Sequence, residues 1–253
     1  MRKLACVVIG LGLLLAAWEG LVLTGRYPPA LLPPPVKVLS GFKEIAGNGS
    51  LFEHLLVTLR RFFIGYLSAS LAGMAMGLVF GWLTRLWAVA EPVVHVLRPI
   101  SPVAWFPFIV MWFGIGDIPA IVIIFISAFF PVLLSTVAAI RLIDPIYLKV
   151  AANFGIKPPR LLLKIIFPAI FPNIVTGLHL ALGTAWIFMV AGEMLGTQSG
   201  LGFLIIDARN GFRTDLVVCA MITIGVLGLV LDRAIALFES WANRVWGVGP
   251  AGK

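Results

Sequence analysis

Long runs of apolar residues, interrupted by short clusters of charge, proline and glycine, dominate the chain. A helix needs about 20 apolar residues to cross the hydrocarbon core of a bilayer. Six stretches approach that length with little or no charge: 4–23, 62–83, about 99–113, 118–140, 172–195 and 216 to about 238. The pattern predicts an all-α membrane protein with six transmembrane helices in one domain over residues 1–253. The third stretch is short and carries Pro99, Pro102 and Pro107, so a kink or an earlier start near Trp87 is expected there. Residues 24–58, with Tyr27-Pro28-Pro29 and Pro33-Pro34-Pro35 ahead of an amphipathic stretch, are expected to form an external loop holding a short interfacial helix.

Composition agrees with a bilayer environment. Sixty per cent of the residues are apolar and 12% charged, whereas roughly a quarter are charged in soluble domains. The net charge of +8 is scattered among apolar spans with no aromatic and basic stripe, which argues against nucleic acid. Lysine and arginine in short loops prefer the cytoplasmic side. Placing the N-terminus inside puts Arg2, Lys3, Arg85, Arg98, Arg141, Lys149, Lys157, Arg160, Lys164, Arg244 and Lys253 there, with both termini cytoplasmic; the opposite side holds the smaller set Arg26, Lys37, Lys43, Arg60, Arg61, Arg209 and Arg213, of which the Arg60-Arg61 pair suits an interfacial anchor. The start, Met1-Arg2-Lys3 and then an apolar run, has the order of a signal peptide, but the run is long enough to span and Trp18-Glu19-Gly20 offers no cleavage pattern, so an uncleaved first helix is expected. Cys6 and Cys219 lie in apolar runs without metal-site or disulfide spacing, and no metal or other cofactor is expected in this chain.

Inside the spans, small residues recur every fourth position at Gly65, Ala69, Gly73, Gly77 and Gly81, a flat helix face that lets another helix approach closely. Ionisable residues at membrane depth are functional candidates by default. They are Glu193 near the outer end of span five, His179 nearer its inner part, and Asp232-Arg233 in span six, which point to different sides of one helix and so seek separate partners. Glu193, with Trp186 and Met189 on span five and Ser127 and Phe130 on span four, makes up the candidate lining of a solute path. Packing against neighbouring helices is the plainer role for each of them.

The loop between spans four and five, residues 144–168, carries the strongest signal. Pro145 can open a helix, Gly155 can close it, and Pro159 can open a second. The result is a helix, a turn and a helix at the cytoplasmic surface. Ala151-Ala152 would give it a low-relief face, and Lys149, Lys157, Arg160 and Lys164 would give it charge. A solvated basic loop would look the same on these grounds.

This loop resembles the EAA motif of ABC importer permeases: Gly155, Ile165 and Pro168 fall at the motif's spacing and Ala151 matches its second alanine, while Lys149 stands in the place of its glutamate. The resemblance extends over nearly the whole chain and is nearest to nitrate, sulfonate and taurine permeases. It runs through Leu31-Leu32-Pro33-Pro34-Pro35, Trp112-Phe113-Gly114-Ile115-Gly116, Ala128-Phe129-Phe130-Pro131, Ser199-Gly200-Leu201-Gly202 and Asp207-Ala208-Arg209-Asn210.

The resemblance implies a type I importer permease of the inner membrane that works as a homodimer. ABC ATPase subunits would grip the loop through Lys149, Ala151, Ala152, Gly155, Pro159, Arg160, Ile165 and Pro168. An external solute-binding protein would deliver a nitrate-, sulfonate- or taurine-like anion, with a neutral or heterocyclic solute as the alternative. No phosphate-binding G-x-x-x-x-G-K-[ST] occurs in the sequence, so ATP and Mg would be bound, and hydrolysed, by a separate chain and this one would not be an enzyme. A stand-alone secondary transporter is the rival reading; it calls for inverted repeats or paired intramembrane charges, and neither is evident.

Overall fold

In the computed structural model of the chain, the described residues are 2–143 and 166–245, with Ile146, Asn153, Phe154 and Leu161 between them. Their regular structure is helical: α1 (Arg2–Leu23), α2 (Pro35–Gly47), α3 (Ser50–Trp82), α4 (Thr84–Leu97), a 3-10 turn (Pro102–Trp105), α5 (Phe106–Phe113), α6 (Asp117–Arg141), α7 (Phe167–Gly196), α8 (Leu201–Asn210) and α9 (Thr214–Val245). Among the described residues α3, α6, α7 and α9 are long and apolar enough to cross a membrane, and α4 with Pro102–Phe113 makes a fifth crossing if the bent pair is one span. The sixth expected crossing depends on α1, which is 22 residues long.

The chain divides into two compact units, Met1–Leu59 with Glu193–Val226 and Arg60–Gly192 with Leu227–Lys253. In the first, α2 starts at Pro35, whose fixed φ and missing N–H suit the first helical position. Its Val38 and Ile45 are buried with Cys219 of α9, and Trp18, Phe42 and Leu216 pack around them. A Cβ on Gly41 would lie 3.2 Å from both Asp215 Oδ2 and Leu216, so α2 crosses the start of α9 at close range. Arg213 ties the same corner, donating to Glu44 of α2 and to Asp215. That hydrogen bond holds the Glu44 carboxyl below its ordinary value, and the two carboxylates raise the guanidinium's. The amphipathic stretch within residues 24–58 is therefore a docked helix, and the last residues of that segment, from Ser50 on, already belong to α3.

The second unit is organised around α6. The small-residue face of α3 meets it in register. A Cβ on Gly65 would fall 2.8 Å from Ile124, on Gly73 3.0 Å from Val132, on Gly77 2.6 Å from Thr136 and on Gly81 2.6 Å from Ile140. Both helices advance in the same order along this contact, so they are parallel. The packing role expected of the stripe is the one observed, and the tight approach trades side-chain volume for backbone contact. On its other side α6 meets α7, with Gly177 against Ser135 and Gly192 against Ala120, an antiparallel pair. Arg60 and Arg61, the pair that ran against the orientation trend, both bond Asp117 in the first turn of α6, and the Arg61 side chain is 2% exposed.

Because α3 and α6 are parallel, the segment between them has to carry the chain back across. It does so in two pieces: α4, then a break at 98–101, then the 3-10 turn and α5, the two halves meeting at 86°. This segment thus starts at Thr84, close to the earlier start near Trp87 that the sequence allowed, and it carries the expected kink. Prolines at 99 and 102 remove the N–H groups that would continue α4, which is why the helix stops at Leu97.

Candidate functional site

The break in span three opens onto a cavity of about 360 Å³, a volume at the small end of ligand-binding clefts. Arg98 and Ser101 come from the break itself, Ser127 and Phe130 from α6, and Thr184 and Phe188 from α7. An apolar recess of about 260 Å³ adjoins it, sharing Ile126 and Phe130 and adding Trp105 and Trp112. Each lining residue has a local reason to be there. Pro131 inside α6 leaves no N–H for the previous turn. Ser127 turns its hydroxyl back to donate to the Ile124 carbonyl at 2.8 Å, and Thr184 donates to the carbonyls of Ala181 and Ser127 at 3.0 and 3.3 Å. Non-helical backbone at membrane depth is tolerated where it lines a cavity, because its unpaired groups can then meet water or solute.

The candidates from the sequence divide into three groups. Ser127 and Phe130 line the cavity. Trp186 and Met189 are not among its lining residues and are buried, with 8% and 0% of their surface exposed, and the Trp186 ring meets Phe62 edge-on at 5.1 Å. Glu193 lies in the first unit and is fully buried. It accepts the Thr58 hydroxyl and the Gly202 N–H, each at 2.9 Å, while Thr58 in turn accepts the Leu201 N–H and His54 the Gly200 N–H. A buried carboxylate there anchors the turn into α8 to the start of α3, and Gly200, at φ +103°, sits where a Cβ would strike that carboxylate.

His179 finds two partners on α9, Asp232 at 2.9 Å through Nε2 and Glu239 at 3.0 Å through Nδ1. Asp232 therefore does bond to a neighbouring helix, as expected, and Arg233 has no side-chain partner among the described residues. Of the loop positions, Pro168 occupies the second residue of α7. Lys149, Ala151, Ala152, Gly155, Pro159, Arg160 and Ile165 lie outside the described residues. Arg98, Ser101, Thr184 and Phe188 were not anticipated as site residues. Arg98 was expected among the cytoplasmic basic residues because it borders the expected third span, and Pro99 and Pro102 were the signal that the chain breaks beside it.

Residues 69–244 match the family described as binding-protein-dependent transport system inner membrane component. The chain belongs to that family. As an ABC permease it is a multi-pass inner-membrane transport component, and relatives support the assignment over most of its length. The taurine transport system permease protein of Escherichia coli is 30% identical, the match covering 94% of this chain and 88% of that one. The nitrate import permease protein of Synechococcus elongatus is 32% identical over the same shares. A Bacillus subtilis protein provisionally named as an aliphatic sulfonates transport permease is 33% identical over 92% and 86%. Among solved structures, the MetNI methionine ABC transporter in inward-facing conformations superposes with a TM-score of 0.64 at 19% identity, covering 74% of this chain and 93% of that one. At that identity the likeness speaks to the fold, that of a type I importer permease.

Proposed function

We propose that the chain is the membrane subunit of an ATP-driven importer for a small oxyanion of the nitrate, sulfonate or taurine kind. Two copies form the path, with both termini on the cytoplasmic side. An external solute-binding protein delivers the cargo. ABC ATPase subunits grip the 144–168 loop through Lys149, Ala151, Ala152, Gly155, Pro159, Arg160, Ile165 and Pro168, and carry the ATP and Mg. The path runs by Ser127 and Phe130, with Trp186 and Met189 forming the wall behind them and Glu193 fixing the outer turn.

The observation that carries this reading is the family match across residues 69–244, which includes the loop as well as the helices on both sides of it. The relatives' printed cargo supports the anion class. The mechanism follows from the packing: α6 is held by glycine contacts on two sides, so a pull on its cytoplasmic end moves α3 and α7 with it. ATP-driven closure of the two ATPase subunits draws the two loops together, and the paired permeases re-pack from outward to inward opening.

Reconstitution of the permease with its ATPase and binding protein tests the coupling. Ala152→Asp and Gly155→Trp are expected to insert normally and to reduce uptake at least tenfold, while ATP hydrolysis loses its dependence on binding protein. Wild-type uptake in both variants would refute the loop's role.

A further inference from the structure

Arg98 borders the cavity from an exposed position on the second unit, and its level along the membrane normal can be read off α6. The α6 end is marked by Arg141, whose guanidinium lies 5.6 Å over the Trp87 ring of α4. From there α4 climbs alongside α6, with Trp87 and Val94 in one buried cluster with Val137 and Leu133. The break that follows faces Ile126, Ser127, Phe130 and Pro131. Those residues are about 15 to 23 Å along the helix axis from Arg141 at 1.5 Å per residue. In a hydrocarbon core about 30 Å thick that is near the midplane, too deep for the side chain to snorkel to a headgroup layer.

A guanidinium at that depth needs a counter-charge. Arg60 and Arg61 have Asp117, but among the described residues the Arg98 guanidinium has no hydrogen-bond or ion-pair partner; its backbone N–H donates to the Val94 carbonyl. The cavity it lines contains no acidic side chain. The Ser101 hydroxyl beside it is likewise uncommitted among the described residues and can donate, whereas those of Ser127 and Thr184 already donate to carbonyls. The adjoining recess is walled by Leu97, Trp105, Trp112, Ile126 and Phe130, with almost nothing polar in it.

We propose that this cavity is a transit site for an organic oxyanion, Arg98 pairing with its charged head, Ser101 donating a second hydrogen bond, and the apolar recess taking its carbon chain. An alkanesulfonate fits that chemistry: three acceptor oxygens match the planar fork of donors, and a short aliphatic tail suits the recess. A bare inorganic anion would use Arg98 and leave the recess empty. The proposal rests on the importer reading and adds the place and the residue that recognise the cargo inside the membrane.

The test is ATP-driven uptake of radiolabelled ethanesulfonate, with taurine and nitrate in parallel, by the complete importer in vesicles, comparing wild type, Arg98→Gln, Arg98→Lys and Ser101→Ala. Wild type is expected to import ethanesulfonate. Arg98→Gln should lower uptake at least about tenfold, Arg98→Lys should recover part of it with a raised KM, and Ser101→Ala should cost a few-fold. Arg98→Gln importing within twofold of wild type overturns the proposal and leaves the importer reading standing. Equal losses in the Gln and Lys variants, matched by a fall in the amount of permease in the membrane, overturn it in favour of a structural arginine. Wild-type vesicles that import no sulfonate, or only nitrate, overturn the organic-anion site, and import of none of the three anions removes the proposed cargo class as well.

Discussion

Gly200 meets two demands at once: a φ of +103°, which L side chains rarely adopt, and a carboxylate lying 2.4 Å from where its Cβ would be. Alanine there has to strain the backbone and push Glu193 away from Thr58 and the Gly202 N–H. Those two effects together cost about 3 kcal/mol. Gly211 is the control, because its φ is −81° and an added Cβ would make ordinary contacts at 3.5 Å and beyond. Thermal unfolding of the purified permease in detergent should show a clear drop in Tm for Gly200→Ala and little change for Gly211→Ala. Sequence could mark Glu193 as unusual for its depth, and Ser199-Gly200-Leu201-Gly202 as a recurring string. It could not join them, since Glu193's partner Thr58 lies 135 positions away along the chain.

Helices were the most legible level, for a plain reason: a lipid environment demands about 20 apolar residues per crossing, and that demand is written locally. The stripe from Gly65 to Gly81 was equally legible, because a four-residue spacing on a helix defines a face whatever the partner. Its partner, α6, was not. Helix-scale packing here is steric, and Gly77 is its tightest point on α3 together with Gly81. Gly77→Leu should force α3 from α6 and deplete folded permease in the membrane, as measured by monodisperse recovery after detergent extraction. Gly225→Ala, with nothing within 4 Å of the new Cβ, should extract like wild type. Span three was the least legible element. Proline reports that a helix stops and does not say whether the chain there ends a span or bends within one.

At the scale of the whole molecule, the two units divide the labour. Arg213 with its carboxylates and the buried Glu193 fasten short helices to the ends of long ones in the first unit. The second unit gathers the parallel and antiparallel contacts of α6 and the cavity at the break. Family membership was readable from short motifs spread over the whole chain, several of which fall at the turns between helices. Cargo was not readable in the same way: the cavity at the break is assembled from three separate segments, none of which carries a motif for a solute. The central claim is that a separate ATP-hydrolysing motor, and not an ion gradient, drives solute through this chain. Right-side-out vesicles containing the permease, its ATPase and its binding protein can be loaded with ATP or energised with a proton or sodium gradient alone, and uptake of labelled taurine, nitrate and ethanesulfonate followed. Uptake that requires enclosed ATP and external binding protein, and persists when both gradients are collapsed, is the predicted result; uptake driven by a gradient without ATP would contradict the account.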